Sequence, residues 1–308
     1  MSKSRSLYAD YAVYLLVRVF VCVIQTLSLN AAQAFAAGLA WLAYRLDRRH
    51  REVASDNLRQ AFPNRYTEAE IDRMVRAIYR HFCGVLVEII QLPRRLHANN
   101  WRRHLEVRDG RVLVDALLSD RPLMCVTGHF GNWEMAGYAL GLLGFTTHAI
   151  ARPLDNPFLD DFLRRFREAT GQRILAKKGD FEQMQAILAS GGIIGTLADQ
   201  DAGQRGLFVD FFGRPASTHK AIALLSMQFK VPLLVVGTAK VGEPARYQAQ
   251  IEDVIRPEAY EGKADAMSAI TQRFTSALER LVCRFPEQYF WLHRRWKHQP
   301  AKRRQRAA

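Results

Sequence analysis

A histidine and a glutamate stand five positions apart in TGHFGNWEM, residues 127 to 135, directly after the apolar run LMCV. On an α-helix two such positions lie about 140° apart, and on a strand they point to opposite faces. His129 and Glu134 can therefore meet only across a turn from a strand to a helix. Gly131 permits the unusual backbone angle of such a turn, and Asn132 is suited to cap the helix that follows.

A corner of this kind suits general-base chemistry. Glu134, in the first helical turn, is favoured by the helix dipole and is expected to accept a hydrogen bond from the imidazole of His129. The carboxylate would orient the base and stabilise the imidazolium that forms when the histidine takes a proton. The backbone N–H groups of Gly131 and Asn132 are candidate donors to a developing oxyanion. A buried histidine beside a helix-capping glutamate is the structural alternative that the spacing leaves open.

The elements around this corner follow from hydrophobic periodicity. Beyond residue 105, short apolar runs alternate with amphipathic stretches, which predicts an α/β fold with a largely parallel or mixed central sheet flanked by helices. Strands are predicted at residues 122–127, 146–151, 193–198, 232–238 and 247–251. Helices are predicted at residues 133–143, 157–170, 181–189, 218–229 and 264–285. The polar sequences TGHFGNWE, ARPLDN and ADQDAG follow three of the strands, where functional groups collect in such sheets.

The first 50 residues are predicted to be a hydrophobic membrane anchor. Residues 11 to 29 nearly reach the ~20 apolar residues of a span, although Arg18 interrupts them at an insertion cost of about 2.5–3.5 kcal/mol. Asp10 and Arg18 do not suit a signal peptide, so the segment is expected to stay uncleaved. The sequence leaves open whether the anchor spans the bilayer or lies in the interface, and a buried helical pair is the alternative. Basic residues 45 to 51 would then face anionic cytoplasmic lipid.

The rest of the chain is predicted to have three parts. Residues 51 to 105 form a helical lead-in, in which TEAE resembles a capping box at Thr67 and Glu70. Residues 106 to 298 form the α/β domain, and residues 299 to 308 form a basic tail.

Composition narrows the classes of partner. Of 308 residues, 49% are hydrophobic and 24% are charged, as in an ordinary folded protein. The net charge of +14 favours an acidic partner, such as an anionic membrane, an acidic carrier protein, a phosphorylated substrate or nucleic acid. The cysteines are far apart and lack zinc spacing, and no nucleotide motif is present, so no metal or cofactor is expected. Cys125 is expected to pack in the core.

The block HFGNWE resembles the HX4E form of the acyltransferase signature in the bacterial lipid A biosynthesis acyltransferases, part of the wider lysophospholipid-acyltransferase-like superfamily. The resemblance covers nearly the whole chain, through the apolar N-terminus and the blocks NLRQAFP, ARPLDNP, ADQDAG, FFGRPAST and EQYFWLHRRWK in that order. It implies that His129 is the general base for an acceptor hydroxyl that attacks an acyl thioester. Glu134 would be its partner, with no covalent acyl-enzyme.

The resemblance also implies partners and a location. The donor would be an acyl carrier protein or acyl-CoA, and the acceptor an anionic glycolipid such as a lipid A precursor. The enzyme would act at the cytoplasmic face of the inner membrane, with no nucleic-acid partner.

Arginines in and after the polar block ARPLDN are candidate substrate ligands. Arg152 follows a predicted strand and precedes a proline, a position suited to holding a phosphate or carboxylate. Arg164 and Arg167, on the next helix, are candidates to join it, with solvated surface charge as the alternative.

The block ADQDAG adds two carboxylates. Asp199 and Asp201 could in principle bind a metal or serve glycoside hydrolysis, but the stretch has the composition of a turn. The resemblance favours Asp199, with Gln200, as a support for the base and the substrate geometry.

Two later segments combine aromatic and basic residues. Phe208, Phe211 and Phe212 are candidates to line an acyl groove, while Arg214 and Lys220 are candidates to bind an anionic head group. Packing of these aromatics onto the core is the alternative. The segment WLHRRWK, which includes residues 294, 295 and 297, suits a membrane interface or single-stranded nucleic acid.

Two other functions stay open from the sequence. One is an acyl-CoA-dependent acyltransferase that modifies a mannosylated phosphoinositide or another glycolipid. The other is a non-catalytic basic protein that binds a membrane surface or nucleic acid.

Overall fold

A computed structural model describes residues 6–119, 121–151, 153–176, 180–242 and 245–300, apart from the side chains of Ala176 and Asp180. Its strands are β1 (Leu105–Val107), β2 (Leu123–Thr127), β3 (Thr147–Ala151), β4 (Gln172–Ala176), β5 (Ile193–Leu197), β6 (Leu207–Phe211), β7 (Arg214–Thr218), β8 (Leu233–Lys240) and β9 (Tyr247–Ile255). Its helices are α1 (Leu7–Thr26), α2 (Leu29–Leu46), α3 (Arg48–Ala61), α4 (Glu68–Arg95), α5 (Gly110–Leu117), α6 (Trp133–Leu142), α7 (Pro157–Glu168), α8 (Asp180–Ala189), α9 (Ala221–Phe229) and α10 (Ala266–Arg284). Short 3-10 turns lie at Trp101–Arg103, Pro257–Tyr260 and Pro286–Gln288.

A central sheet has the strand order β1-β9-β8-β2-β5-β3-β4. Strands β8, β2, β5, β3 and β4 run parallel, whereas β9 is antiparallel to β8 and parallel to β1. The predicted α/β fold with a largely parallel or mixed sheet is confirmed. Strands β6 and β7 form a separate antiparallel hairpin.

Every predicted strand and helix has a counterpart, but β1, β4, α5 and the hairpin were not predicted. Strand β1 has only three residues, too few for a periodic pattern. The predicted helix at 218–229 begins later, at Ala221, because residues 214–218 pair with β6 in register, as Ser217 does with Phe208. The helix N-cap is Lys220, whose side chain makes no capping hydrogen bond.

The N-terminal helices pack on α4. Helix α1 is the one described helix that is long and apolar enough to cross a membrane, with a mean hydropathy of 1.9. Helix α2 buries Ala32, Ala36, Ala40 and Tyr44 at helical spacing. Helix α4 begins with the predicted capping box of Thr67 and Glu70, which is confirmed. The division of the chain at residues 50, 105 and 298 stays a prediction, and residues 301–308 of the tail lie outside the described residues.

The predicted corner between β2 and α6 is present. Gly131 has a φ of 57°, in the left-handed region. The side-chain oxygen of Asn132 accepts a hydrogen bond from the backbone N–H of Met135 at 2.9 Å, which caps α6. A Cβ atom on Gly131 would lie 1.8 Å from the carbonyl oxygen of Thr238 in β8. Only glycine therefore fits this corner.

We expect Gly131→Ala to lower the free energy of unfolding by more than the cost of a left-handed backbone conformation at alanine, because the added Cβ also clashes with β8. Gly213→Ala is the matched control, because Gly213 has a φ of 71° and nothing within 4 Å of an added Cβ. The control should lose about 1–2 kcal/mol, the cost of the left-handed conformation. Gly131→Ala should lose roughly 1–3 kcal/mol more through overpacking against the β8 backbone. Denaturant unfolding of both variants measures this, and equal losses would contradict the corner described here.

Candidate active site

Two hydrogen bonds join His129 to Asp199. The backbone N–H of His129 donates to Oδ2 at 2.8 Å, and the ring Nδ1 donates to Oδ1 at 2.8 Å. The side chains of His129 and Asp199 are 17% and 1% exposed. Strands β2 and β5 are parallel neighbours, and Thr127 lies opposite Leu197. Positions 129 and 199, two residues beyond each of these, therefore come side by side at the carboxyl edge of the sheet.

His129 and Asp199 each shift the pKa of the other. Burial would raise the pKa of the Asp199 carboxyl, but attraction to the imidazole and the hydrogen bonds from His129 hold it well below its usual range. Burial would likewise lower the pKa of His129, but the charge and hydrogen bond of Asp199, with a further contribution from Glu134, raise it. The carboxylate accepts only, so the proton of a neutral imidazole lies on Nδ1 and the lone pair on Nε2.

Aromatic rings surround the His129 imidazole. Its ring centroid lies 5.0 Å from that of Trp133, 6.0 Å from that of Phe290 and 6.5 Å from that of His293. Within the described part of the chain, no hydrogen bond engages Nε2 of His129. That nitrogen is therefore the atom of this pair that can take a proton from a substrate.

The predicted hydrogen bond between Glu134 and His129 is wrong. The carboxylate of Glu134 accepts hydrogen bonds from Arg167 on α7, from Nε to Oε2 at 3.0 Å and from Nη2 to Oε1. Both side chains are largely buried, at 13% for Glu134 and 19% for Arg167. The corner brings Glu134 close enough to influence the imidazole electrostatically. Because of the register of β2 and β5, however, the imidazole donates its hydrogen bond to Asp199.

The turn does not supply the predicted oxyanion donors. The N–H of Gly131 donates to the carbonyl oxygen of Gln288 at 2.9 Å, and the N–H of Asn132 donates to that of Thr238 at 2.9 Å. Since both donors are already engaged within the protein, Gly131 and Asn132 shape the corner rather than bind an oxyanion.

The segment from Gln288 to His298, here the C-terminal strap, holds the histidine loop. The backbone N–H of Phe290 donates to the carbonyl oxygen of His129 at 2.9 Å. A β-bridge joins Phe130 to Tyr289 in the strap. The position of His129 therefore depends on residues about 160 positions further along the chain.

The same strap holds the aspartate loop. Nε2 of His293 lies 3.1 Å from the carbonyl oxygen of Asp199, and its Nδ1 lies 2.6 Å from that of Phe290. Nδ1 of His298 donates to Oδ2 of Asp201 at 2.6 Å. The strap thus bridges the two loops that carry His129 and Asp199, and Asp201 bonds to the strap rather than to the imidazole of His129.

The aromatic residues predicted for a membrane interface lie in the core, whereas Arg294 and Lys297 are exposed. Trp291 and Arg295 are 0% and 1% exposed, and Trp296 is 9% exposed. The guanidinium of Arg295 donates to the carbonyl oxygen of Ser217 at 2.7 Å and to the hydroxyl of Thr218 at 2.8 Å. Interleaved aromatic and basic residues occur both at interfaces and in cores, so the local pattern did not reveal His293 and Arg295. Their place in a family block was the one available signal.

A buried polar cluster lies beneath the corner, and it was not predicted. Glu88 of α4 accepts hydrogen bonds from Gln33 at 2.7 Å, from Nζ of Lys240 at 2.6 Å and from the hydroxyl of Tyr247. His81 lies about two helical turns before Glu88 on the same helix. Its Nε2 is 3.2 Å from the carbonyl oxygen of Gly131.

Burial lowers the pKa of His81 to about 4. His81 is therefore neutral near pH 7 and can donate one hydrogen bond to the turn.

The other predicted ligands lie in different surroundings. Arg152 lies outside the described residues. Arg164 is 52% exposed and pairs with Asp160 at 3.7 Å, and Arg214 lies over the ring of Trp296 at 5.7 Å. Gln200, beside Asp199, and Lys220, at the start of α9, are exposed.

Two of the three phenylalanines proposed for an acyl groove belong to the core. Phe211 is 1% exposed and packs with Tyr289 and Trp296, while Phe212 packs with Trp291. Phe208, in β6, is half-buried. The structure therefore supports the core alternative for Phe211 and Phe212.

Cys125 is buried, and burial raises the pKa of its thiol to about 12, so its predicted place in the core is confirmed. Among the described residues, no group of three or more His, Cys, Asp or Glu side chains could hold a metal ion.

The similar sequences found by comparison are all named as acyltransferases. The family model described as bacterial lipid A biosynthesis acyltransferase matches residues 1–298. The lipid A biosynthesis palmitoleoyltransferase of Escherichia coli is 26% identical over 255 residues, which are 82% of this chain and 80% of that protein. The lipid A biosynthesis lauroyltransferase of the same species is 24% identical, over 85% of this chain and 84% of that protein. The phosphatidylinositol mannoside acyltransferase of Mycobacterium tuberculosis is 25% identical, over 68% and 66%.

We expect Asp199→Asn to lower the pKa of His129. The amide removes the negative charge and leaves burial, which favours the neutral ring. Asp201→Asn is the matched control, because Asp201 bonds His298 instead. An NMR titration of the imidazole Cε1–H signal of His129 measures the change. An unchanged pKa in Asp199→Asn, or an equal fall in Asp201→Asn, would contradict the assigned pairing.

Proposed function

The chain belongs to the bacterial lipid A biosynthesis acyltransferase family, and on that basis we propose that it transfers a fatty acyl chain from acyl carrier protein to a hydroxyl of a lipid A precursor or similar glycolipid. The observation that carries this proposal is the buried pair of His129 and Asp199, which leaves Nε2 as an available base. The family consists of enzymes, so the non-catalytic alternative is not retained.

The reaction needs one proton carrier. Nε2 of His129 accepts the proton of the acceptor hydroxyl while the hydroxyl oxygen attacks the thioester carbonyl carbon. The tetrahedral oxyanion then collapses, the C–S bond breaks, and the leaving thiolate takes the proton back from Nε2. Asp199 stabilises the imidazolium between these two steps and keeps Nδ1 protonated. No acyl group is attached to the protein at any stage.

Glu134 and Arg167 form the second part of the proposed site. Their two hydrogen bonds fix the guanidinium at the start of α6, on the Glu134 carboxylate whose charge acts on the imidazole. A guanidinium held by Nε and one terminal nitrogen keeps its other terminal nitrogen for a substrate. We assign that group to a phosphate of the anionic acceptor.

The acidic donor and the membrane are supported by charge and hydropathy. A net charge of +14 favours association with an acidic carrier protein and with anionic lipid. Helix α1 is apolar, with a mean hydropathy of 1.9. Arg45 lies in the last turn of α2, and Arg48 and Arg49 begin α3. We therefore place the enzyme at the cytoplasmic face of the inner membrane.

A second acceptor has some support. The phosphatidylinositol mannoside acyltransferase matches the chain at an identity similar to that of the lipid A enzymes, but over a smaller share of it. The greater coverage favours a lipid A precursor as acceptor, and acyl-CoA with a mannosylated phosphoinositide is the alternative pair.

We expect His129→Ala to lose transfer activity by about 10²–10⁴-fold, the usual contribution of a general base. It should also lose about 1–3 kcal/mol of stability, because the buried Asp199 carboxylate then lacks its hydrogen bond from the ring, so activity is compared at a temperature at which the variant stays folded. Mass spectrometry of the lipid products measures transfer from acyl carrier protein or acyl-CoA to a lipid A precursor or a phosphatidylinositol mannoside. Wild-type activity in a folded His129→Ala protein would end the proposal, and the preferred pair of substrates decides between the two acceptors.

Glu134→Gln and Arg167→Gln should each reduce kcat/KM by roughly 10- to 100-fold, since hydrogen bonds to charged groups contribute about 1.5–3 kcal/mol. The double variant should lose no more than the worse single variant, because the two residues act as a unit. Arg165→Gln is the control, an arginine on the same helix that is 78% exposed. Independent, multiplying losses would argue against a shared role.

A further inference from the structure

Helix α1 has the length and composition of a transmembrane span, but its contacts point elsewhere. It has 20 residues, and a helix of that length reaches about 30 Å, the thickness of the hydrocarbon core. Within its apolar window only 11% of the residues are buried in the protein. The residues that do contact the protein are spread along the whole helix, and they decide its orientation.

The stretch of α1 from Asp10 to Arg18 lies on α7. The side-chain amide of Asn156 donates to the carbonyl oxygen of Asp10 at 2.8 Å. The ring of Tyr11 lies 5.2 Å from that of Phe158. The guanidinium of Arg18 lies 4.9 Å above the ring of Phe162.

The second half of α1 lies on α2 and α4. Ile24 is 1% exposed and packs in one cluster with Ala32, Ala36 and Val87. The side-chain amide of Gln91 donates to the carbonyl oxygens of Ile24 at 3.0 Å and Leu27 at 3.1 Å. Contacts with the protein thus continue from position 10 to position 27, about 26 Å of helix.

A spanning orientation would carry these partners into the bilayer. Half of the 12 residues of α7 are charged. They are Asp160, Asp161, Arg164, Arg165, Arg167 and Glu168. Charged side chains in hydrocarbon are costly unless they face a protein interior, and irregular backbone such as the loop before α7 is not stable there. Crossing would therefore require α1 to leave α7, α2 or α4.

We propose that α1 lies in the plane of the membrane surface and that, with α2, it rests on an anionic phospholipid monolayer. This inference depends on the membrane association proposed above and adds its geometry. The face of α1 away from the protein exposes Tyr8, Leu16, Val19 and Val23 by 89%, 71%, 63% and 52%. These positions follow helical spacing and form one apolar stripe, as in helices that lie in an interface.

Helix α2 supplies the other half of the surface. Its large exposed apolar side chains include Trp41 at 59% and Leu46 at 74%. The guanidinium of Arg45 lies 5.3 Å above the ring of Trp41, and Arg48 follows with a side chain 83% exposed. A tryptophan beside arginines is the combination that anchors proteins at anionic headgroups. The lipid is therefore an anionic phospholipid rather than a neutral one.

This orientation brings the membrane close to the active site. The helix under α1 is α7, which also carries Arg167, the partner of Glu134. An acceptor lipid would need to rise past one helix to reach His129. A spanning anchor would leave the site at a distance set only by a linker.

Topology of the full chain in cells tests the proposal. With one epitope tag at each end, an in-plane α1 keeps both tags in the cytoplasm. Both tags should then resist protease in intact spheroplasts and be cut in inverted inner-membrane vesicles. An N-terminal tag cut in spheroplasts, with the C-terminal tag protected, would show a span and overturn the proposal.

Depth measurement gives a second test. Nitroxide labels at Tyr8→Cys, Leu16→Cys and Val23→Cys, with the native cysteines replaced, should lie at one depth in phosphatidylglycerol vesicles by EPR accessibility. Leu118→Cys, 70% exposed on a different part of the fold, is the control and should stay in water. A spanning helix would bury Leu16 far deeper than the ends. Labels that all stay in water would equally overturn the proposal. Acyl transfer measured separately in detergent micelles shows whether the proposed activity fails independently.

Discussion

A buried carboxylate is stable only when its hydrogen bonds replace the water it has lost, and in this protein His129 supplies two of them to Asp199. One comes from the backbone and one from the ring, so the aspartate fixes both the position of the histidine and its tautomer. Much of the nearby structure maintains this arrangement. The register of β2 with β5 brings the two loops together, Gly131 lets the chain turn away at once, and the strap closes over both.

The buried cluster around Glu88 connects this pair to the rest of the molecule. Its hydrogen bonds with Gln33, Lys240 and Tyr247 connect α2 and α4 to strands β8 and β9. Through His81 the same helix α4 touches the carbonyl oxygen of Gly131. A displacement of the N-terminal helices would therefore reach the corner between β2 and α6 through polar contacts that are buried or partly buried, and such contacts tolerate little change in geometry.

Sequence reasoning worked where the determining contacts are local. The corner, its glycine and its capping asparagine follow from spacing within eight or nine residues, and the strands follow from short apolar runs. Reasoning from local spacing failed where the partner is distant in the chain, since it paired His129 with Glu134. Asp199 lies 70 residues from His129, and the register that joins them cannot be read from either segment alone, so only the family resemblance pointed to Asp199 as a support for the histidine. The buried WLHRRWK segment failed for a related reason, since its local pattern is common to membrane interfaces and to protein cores.

The strap also determines when during synthesis the enzyme can become competent. Domains form in the order in which the chain emerges, N-terminal elements first. Helices α1 and α2 leave the ribosome before any strand of the sheet, whereas the strap follows every helix and strand of the fold. Helices α1 and α2 of a nascent chain can therefore form while the histidine and aspartate loops are still unconnected. With the function proposed above, catalysis would begin only once the whole fold is in place, so an unfinished chain would consume no acyl donor.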